Sequence, residues 1–77
     1  MEKYELLLKT NTGYELELGI IKCQRIPVKG KMIEIAEDYI KTKKINYPKY
    51  IVKDVIHKVI NKGKMLETIT KVTALKI

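Results

Sequence analysis

The 77-residue chain has no tryptophan, no phenylalanine, one cysteine, one histidine, one arginine and two prolines. Each shortage removes a class of protein. A lone Cys23 closes no internal disulfide framework, and Cys23 with His57 falls short of the four N/S ligands of a structural zinc site. No apolar run exceeds three residues, Leu6 to Leu8 being one, whereas a membrane-spanning helix needs about 18. The opening Met1-Glu2-Lys3-Tyr4-Glu5 mixes charge with apolar character, so no secretory leader is expected and the expected location is cytoplasmic. No Pro/Gly/Ser-rich linker and no internal repeat divides residues 1–77, which read as a single small domain. With 45% hydrophobic and 32% charged residues, the chain is too apolar for disorder. A chain this short buries only about 60% of the surface its unfolded form exposes, which leaves room for one core.

Charge is abundant but lopsided. The formal net charge is +7. Residues 1–20 hold two lysines and four glutamates, while residues 41–77 hold ten lysines and two acids. A basic face attracts polyanions by counterion release. Fifteen of the sixteen bases are lysine, however, and Arg25 is the one arginine. Arginine is the side chain that grips phosphate bidentately and reads guanine edges. The lysine excess with isoleucine as the commonest apolar residue also fits the codon bias of an AT-rich genome, and then describes a solvated surface.

The local patterns are those of strands. Tyr4, Leu6 and Leu8 fall on one face of a strand over 3–9, Thr10-Asn11-Thr12-Gly13 supplies a turn, and Tyr14, Leu16 and Leu18 alternate with Glu15 and Glu17. After Gly19 the polar residues move to 22 and 24. The phase has slipped by one, as a β-bulge at the glycine would make it. Pro27-Val28-Lys29-Gly30 reads as a second turn and Met32 to Ile35 as a third strand. Residues 41–49 form a polar, lysine-rich loop, Asn61-Lys62-Gly63-Lys64 a hairpin turn, and Leu66 to Val72 the last strand.

Two stretches are ambiguous. In 50–60 the apolar positions 51, 52, 55, 56, 59 and 60 have helical spacing, but six of the eleven residues are Val or Ile, which favour strands. A strand with a bulge at Lys53-Asp54 also fits, with Tyr50 and Val52 inward before it and Val55, His57 and Val59 inward after it. In 32–43, Met32, Ile33, Ala36, Tyr39 and Ile40 could share a helical face. The 23 β-branched residues of the whole chain favour a mainly β fold, a small five-stranded barrel with room for one short helix in 36–45.

The order of features, Pro27-x-x-Gly30, then Met32-Ile33-Glu34-Ile35, then Tyr50-x-Val52-x-x-Val55-x-His57, resembles small SH3-like β-barrel proteins of bacterial phages and integrated mobile elements. The similarity spans roughly residues 14–60. The 41–49 segment departs from the compact form, where a short turn joins the two strands. The resemblance implies a barrel with an accessory role, and it transfers no catalytic residue.

Candidate chemistry is sparse. His57 is the one imidazole, with Asp54 three residues away; on a regular strand the two face opposite sides, and on a helix they are neighbours. Cys23 lies among Lys22, Gln24 and Arg25, whose charges would favour a thiolate, but it has no resolving cysteine. Glu34, Glu37 and Asp38 match no calcium loop and read as counter-charges to the lysine-rich loop. Gly13, Gly30 and Gly63 read as turn glycines, without a phosphate-binding glycine loop.

The remaining constellation is Lys41, Lys43, Lys44, Tyr47, Lys49 and Tyr50, where tyrosines between lysines could stack bases while the lysines meet phosphates. A plain solvated loop with Tyr50 in the core is the competing arrangement. The expectation is a non-enzymatic module without cofactor, a monomer or weak homo-oligomer, that meets a protein partner through edge strands and loops. A nucleic-acid-binding barrel using the basic 41–50 loop is the alternative.

Overall fold

The computed structural model describes residues 2–43, 45 and 47–77. Five strands and one short helix follow in chain order: β1 (Glu2–Lys9), β2 (Glu15–Cys23), β3 (Met32–Glu34), α1 (Glu37–Lys43), β4 (Lys49–Lys62) and β5 (Met65–Lys76). The chain is mainly β, and its single sheet curls strongly into a half-barrel consistent with a small SH3-like barrel. Among the described residues no helix is long and apolar enough to cross a membrane.

The strand order is β2-β1-β5-β4-β3. Two antiparallel hairpins, β1–β2 and β4–β5, are joined by a parallel pairing of Glu5–Lys9 on Lys71–Leu75. The short β3 pairs with Lys49, Tyr50 and Ile51 at the other margin. In the first turn the Thr10 N–H donates to the Tyr14 carbonyl at 2.9 Å, with Gly13 at positive φ. Val28 to Lys31 forms the second, closed by the Lys31 N–H on the Val28 carbonyl at 3.1 Å. Gly30 at φ 93° takes the third turn position, where a positive φ favours glycine.

Period-2 alternation sets the core. Tyr4, Leu6 and Leu8 of β1, Tyr50 and Val52 of β4, and Val72 and Ala74 of β5 are buried on the concave face. Among the described residues no second sheet lies opposite. The connecting segments and α1 fill that side instead, with Ile26, Ile35, Tyr39 and Ile40 packed on the core beside Ile33 of β3, and Ile45 buried in it.

The bulges expected at Gly19 and at Lys53 are both present. The register shifts between Leu6 and Leu7 opposite Leu18-Gly19, and again between Val52 and Asp54. Residues 50–60 are therefore strand rather than helix, and the second bulge keeps Val52 and Val55 both on the core face. Beyond Val55 the inward pattern leads into solvent, because β4 and β5 run on past the rest of the sheet and Val59 is 62% exposed.

Residues 32–43 split into strand and helix. The loop expected from residue 41 begins later, since α1 continues through Lys43. The helix carries Glu37 and Asp38 in its first turn, where carboxylates oppose the positive end of the helix dipole. The Asp38 Oδ1 accepts the Tyr39 N–H at 2.9 Å, and the Thr42 hydroxyl donates to the Asp38 carbonyl. The last strand also runs further than Val72, to Lys76, and that extension supplies the parallel partner of β1.

Candidate interaction surface

The described residues of the lysine–tyrosine stretch are spread over a helix, a connection and a strand. Lys41 lies on α1 and reaches Glu37 one turn back at 3.8 Å. Lys43 closes the helix, and Lys44 lies outside the described residues. Lys49 opens β4, exposed, opposite Glu34 of β3. Tyr50 is 2% exposed and belongs to the core. Tyr47 is 39% exposed, but the Lys76 ammonium sits 3.9 Å from its ring centroid and covers one face with a cation–π contact. Tyr14, Tyr47 and Tyr50 line a small pocket with Leu8, Leu16 and Ile45 at this end of the half-barrel. Burial first, and then the neighbouring Tyr47 and Tyr14, push the Tyr50 hydroxyl above its ordinary value.

His57 and Asp54 stand on opposite faces of β4, since the bulge at Lys53 lies outside the 54–57 interval. The His57 Nδ1 is 2.9 Å from the Thr70 Oγ1 of the facing strand. Thr70 is buried among the core residues and is satisfied by that ring. Cys23 is a half-buried free thiol packed on the core near Tyr4. Burial, followed by the charge of Cys23, raises the Tyr4 hydroxyl above its ordinary value. Of the acidic cluster, Glu37 meets Lys41, Glu34 stands opposite Lys49 in the strand register, and Asp38 accepts the Tyr39 N–H. Among the described residues no group of three His, Cys, Asp or Glu is arranged to hold a metal ion.

Two features escape a reading of motifs and belong to the sheet as a whole. The first is its margins. β2 pairs on one side only, so the nine residues Glu15–Cys23 form an edge without a strand partner among the described residues. Beside that edge Tyr14 and Ile20 are 61% and 63% exposed, while Leu16, Leu18 and Ile21 lean on the core. The stretch Glu15–Ile21 contains no lysine and no proline, the residues that most often guard an edge against another strand. At the opposite margin β3 is three residues long, and residues 30–31 extend its pairing through Gly30 N–H to the Val52 carbonyl at 2.9 Å and Val52 N–H to the Lys31 carbonyl at 2.8 Å.

The second feature is an arm. The outer halves of β4 and β5 pair only with each other, from His57↔Thr70 to Lys62↔Met65. The molecule is accordingly long, 42 × 23 × 22 Å. Val59, Met65 and Leu66 on this arm, and Ile56 at its root, are all more than half exposed.

Compared with known proteins, the chain matches no family model, no curated protein and no solved structure.

Proposed function

We propose that the chain is a non-enzymatic interaction module that takes a strand of a protein partner onto the free edge of β2. The observation that carries this reading is the free edge of β2. A nine-residue strand with unpaired backbone donors and acceptors, flanked by exposed Tyr14 and Ile20, offers the two things strand addition uses: main-chain hydrogen bonds and side-chain anchors. The acidic residues Glu15 and Glu17 on β2 favour a partner strand with basic flanks. An accessory role in a phage or mobile-element setting, within the cytoplasm, follows from the resemblance of the Pro27–His57 pattern to such barrels, and the curled five-stranded sheet is compatible with it.

Nucleic-acid binding through the 41–50 loop is the second reading. Exposed Lys41 and Lys49 favour it, while the burial of Tyr50 and the Lys76 ammonium over one face of Tyr47 reduce the stacking surface it would use.

Hydrogen exchange separates the two. A protein retained from nuclease-treated host extract should, once purified and added back, protect amides of Glu15–Cys23 and leave residues 47–49 unchanged. Protection confined to residues 37–49 would overturn strand addition. So would tight, salt-sensitive binding of a fluorescent 20-nucleotide oligomer at low ionic strength that is lost on Lys41→Ala/Lys49→Ala.

A further inference from the structure

We propose that the β2 edge selects its partner strand by charge order. The partner runs antiparallel to β2, with an acidic residue near its N-terminal end against Lys22 and basic residues near its C-terminal end against Glu17 and Glu15. This selection rests on strand addition to β2 and adds to it the sequence polarity of the partner.

The outward side chains of β2 fall into two runs of opposite charge. Leu16, Leu18, Ile21 and Cys23 lean on the core, while Glu15, Glu17, Ile20 and Lys22 are exposed. Their partners in β1 are Lys9, Leu7, Glu5 and Lys3, which alternate onto one face, so the four exposed residues share a face in spite of the bulge. The bulge at Leu18-Gly19 separates acidic Glu15 and Glu17 from Ile20 and Lys22. Arg25, also exposed, follows just past the basic end of the strand.

The chain itself leaves one charge of each run unmatched. Glu15 lies 3.3 Å from Lys9. Glu17 stands opposite Leu7 and Lys22 stands opposite Lys3. Neither Glu17 nor Lys22 has an ion-pair partner among the described residues. The diagonal neighbours on β1 are engaged elsewhere, Glu5 with Lys71 at 4.0 Å and Lys9 with Glu15. Like charges directly opposite on neighbouring strands disfavour each other. The Lys3–Lys22 pair is such a repulsion, and a carboxylate brought to the open side of β2 relieves it. A lysine or arginine brought against Glu17 from the same side matches the other free charge.

The two positions act separately. Lys3 and Leu7, the partners of Lys22 and Glu17, are four residues apart, which is about 13 Å of strand. That exceeds the screening length of about 8 Å at physiological ionic strength, so each charge reads its own opposing residue. Main-chain hydrogen bonds hold a strand of any sequence on the edge. The charges discriminate: a strand of reversed order sets a third lysine beside Lys3 and Lys22 and a carboxylate against the glutamates. Antiparallel pairing is the slightly more stable arrangement per residue, and with it the favoured partner reads acid first and base last.

Two end-capped peptides of identical composition test the order: Thr-Glu-Val-Ile-Thr-Lys-Val-Lys-Thr, acid first, and its reverse, Thr-Lys-Val-Lys-Thr-Ile-Val-Glu-Thr. Each is titrated to millimolar concentration into the full chain at low ionic strength and followed by nitrogen-15 amide shifts. The acid-first peptide should bind with a Kd roughly fivefold lower than its reverse, with the shifts centred on Glu15–Cys23. Added salt should narrow the gap. The double variant Glu17→Lys/Lys22→Glu keeps the net charge of +7 and should invert the preference, with an unchanged far-UV circular dichroism spectrum showing that it folds. Equal binding of both peptides at β2 overturns the charge order and leaves strand addition standing. A wild-type preference for the base-first peptide, or a preference that the double variant does not invert, also overturns it. Peptides that shift no β2 amide overturn strand addition together with the charge order, so the two failures are distinguishable.

Discussion

Leu6 lies opposite Gly19, and the very next residue, Leu7, lies opposite Glu17. Leu18 is thus an extra residue in β2, and Gly19 absorbs the distortion with φ at 80°. The bulge turns the second half of β2 over, so that Leu16 before it and Ile21 after it both lean on the core. It also adds local twist, which a sheet needs to curl on itself.

The first prediction follows from that dihedral. A Cβ built on Gly19 meets nothing within 4 Å, so the cost of Gly19→Ala is conformational and not steric crowding. It should be about 1–2 kcal/mol. For a domain this small that is a Tm lower by roughly 5–10 °C. Gly19→Asn should lose less, since asparagine tolerates this region better. Equal stability of wild type and Gly19→Ala in urea would mean that the positive φ is not needed.

A second prediction contrasts the two ends of the sheet. Leu6 is 2% exposed at the centre of the core, and Ile56 is 56% exposed on the convex side at the root of the arm. Leu6→Ala should cost about 2–5 kcal/mol through lost burial and the cavity left behind. A 77-residue domain has only about 4–12 kcal/mol in total, so this variant should be largely unfolded at modest urea. Ile56→Ala should stay within about 0.5 kcal/mol of wild type. Comparable urea midpoints for the two variants would contradict the division between core and arm.

The third prediction concerns Thr70, a polar side chain placed in the core. Thr70 Oγ1 is 2.9 Å from His57 Nδ1, at the point where the half-barrel gives way to the arm. Thr70→Val keeps the shape and removes the partner. The expected loss is about 0.5–1.5 kcal/mol, since His57 is exposed and its ring nitrogen can turn to water. Nitrogen-15 shifts of the imidazole report the bond directly, and they should move in Thr70→Val. An unchanged imidazole spectrum would show that the pair is not bonded in solution.

How far these features were legible depends on their range. The β1–β2 hairpin, the slip at Gly19 and the bulge at Lys53 are local, and alternation with a glycine or an extra residue suffices to find them. The helix was legible as a short element within 36–45, but not its end at Lys43, because the polar residues 41–43 suit a helix as well as a loop. The parallel pairing of β1 with β5 joins residues more than sixty apart and leaves no local trace. Val59 is the clearest limit. Alternation assigns it correctly to the concave face, yet cannot tell that no layer covers that face beyond Val55. The lysine–tyrosine stretch meets a related limit. Spacing places Tyr47 and Tyr50 near lysines, while burial of Tyr50 and the reach of Lys76 to Tyr47 are decided by the distant β5.

The last prediction is a pH dependence carried by Tyr4 and Tyr50. Burial is the main cause that raises both hydroxyls above the ordinary tyrosine value, helped by Cys23 at Tyr4 and by Tyr47 and Tyr14 at Tyr50. The folded state then holds these protons more tightly than the unfolded state. The resulting stability is complete below the unfolded tyrosine pKa of about 10 and is lost as pH rises from there through the folded values. Stability measured in urea should therefore be flat between pH 7 and 9 with respect to these groups and fall above about pH 10. Lysines titrate nearby, so the assignment needs a signal of its own. Tyrosinate absorbance at 295 nm reads the phenols directly, and the part that belongs to Tyr4 and Tyr50 should move to lower pH in urea. In Tyr50→Phe that part should shrink and so should the alkaline loss of stability. An absorbance titration that urea leaves unchanged would rule out protection of these two hydroxyls by the core.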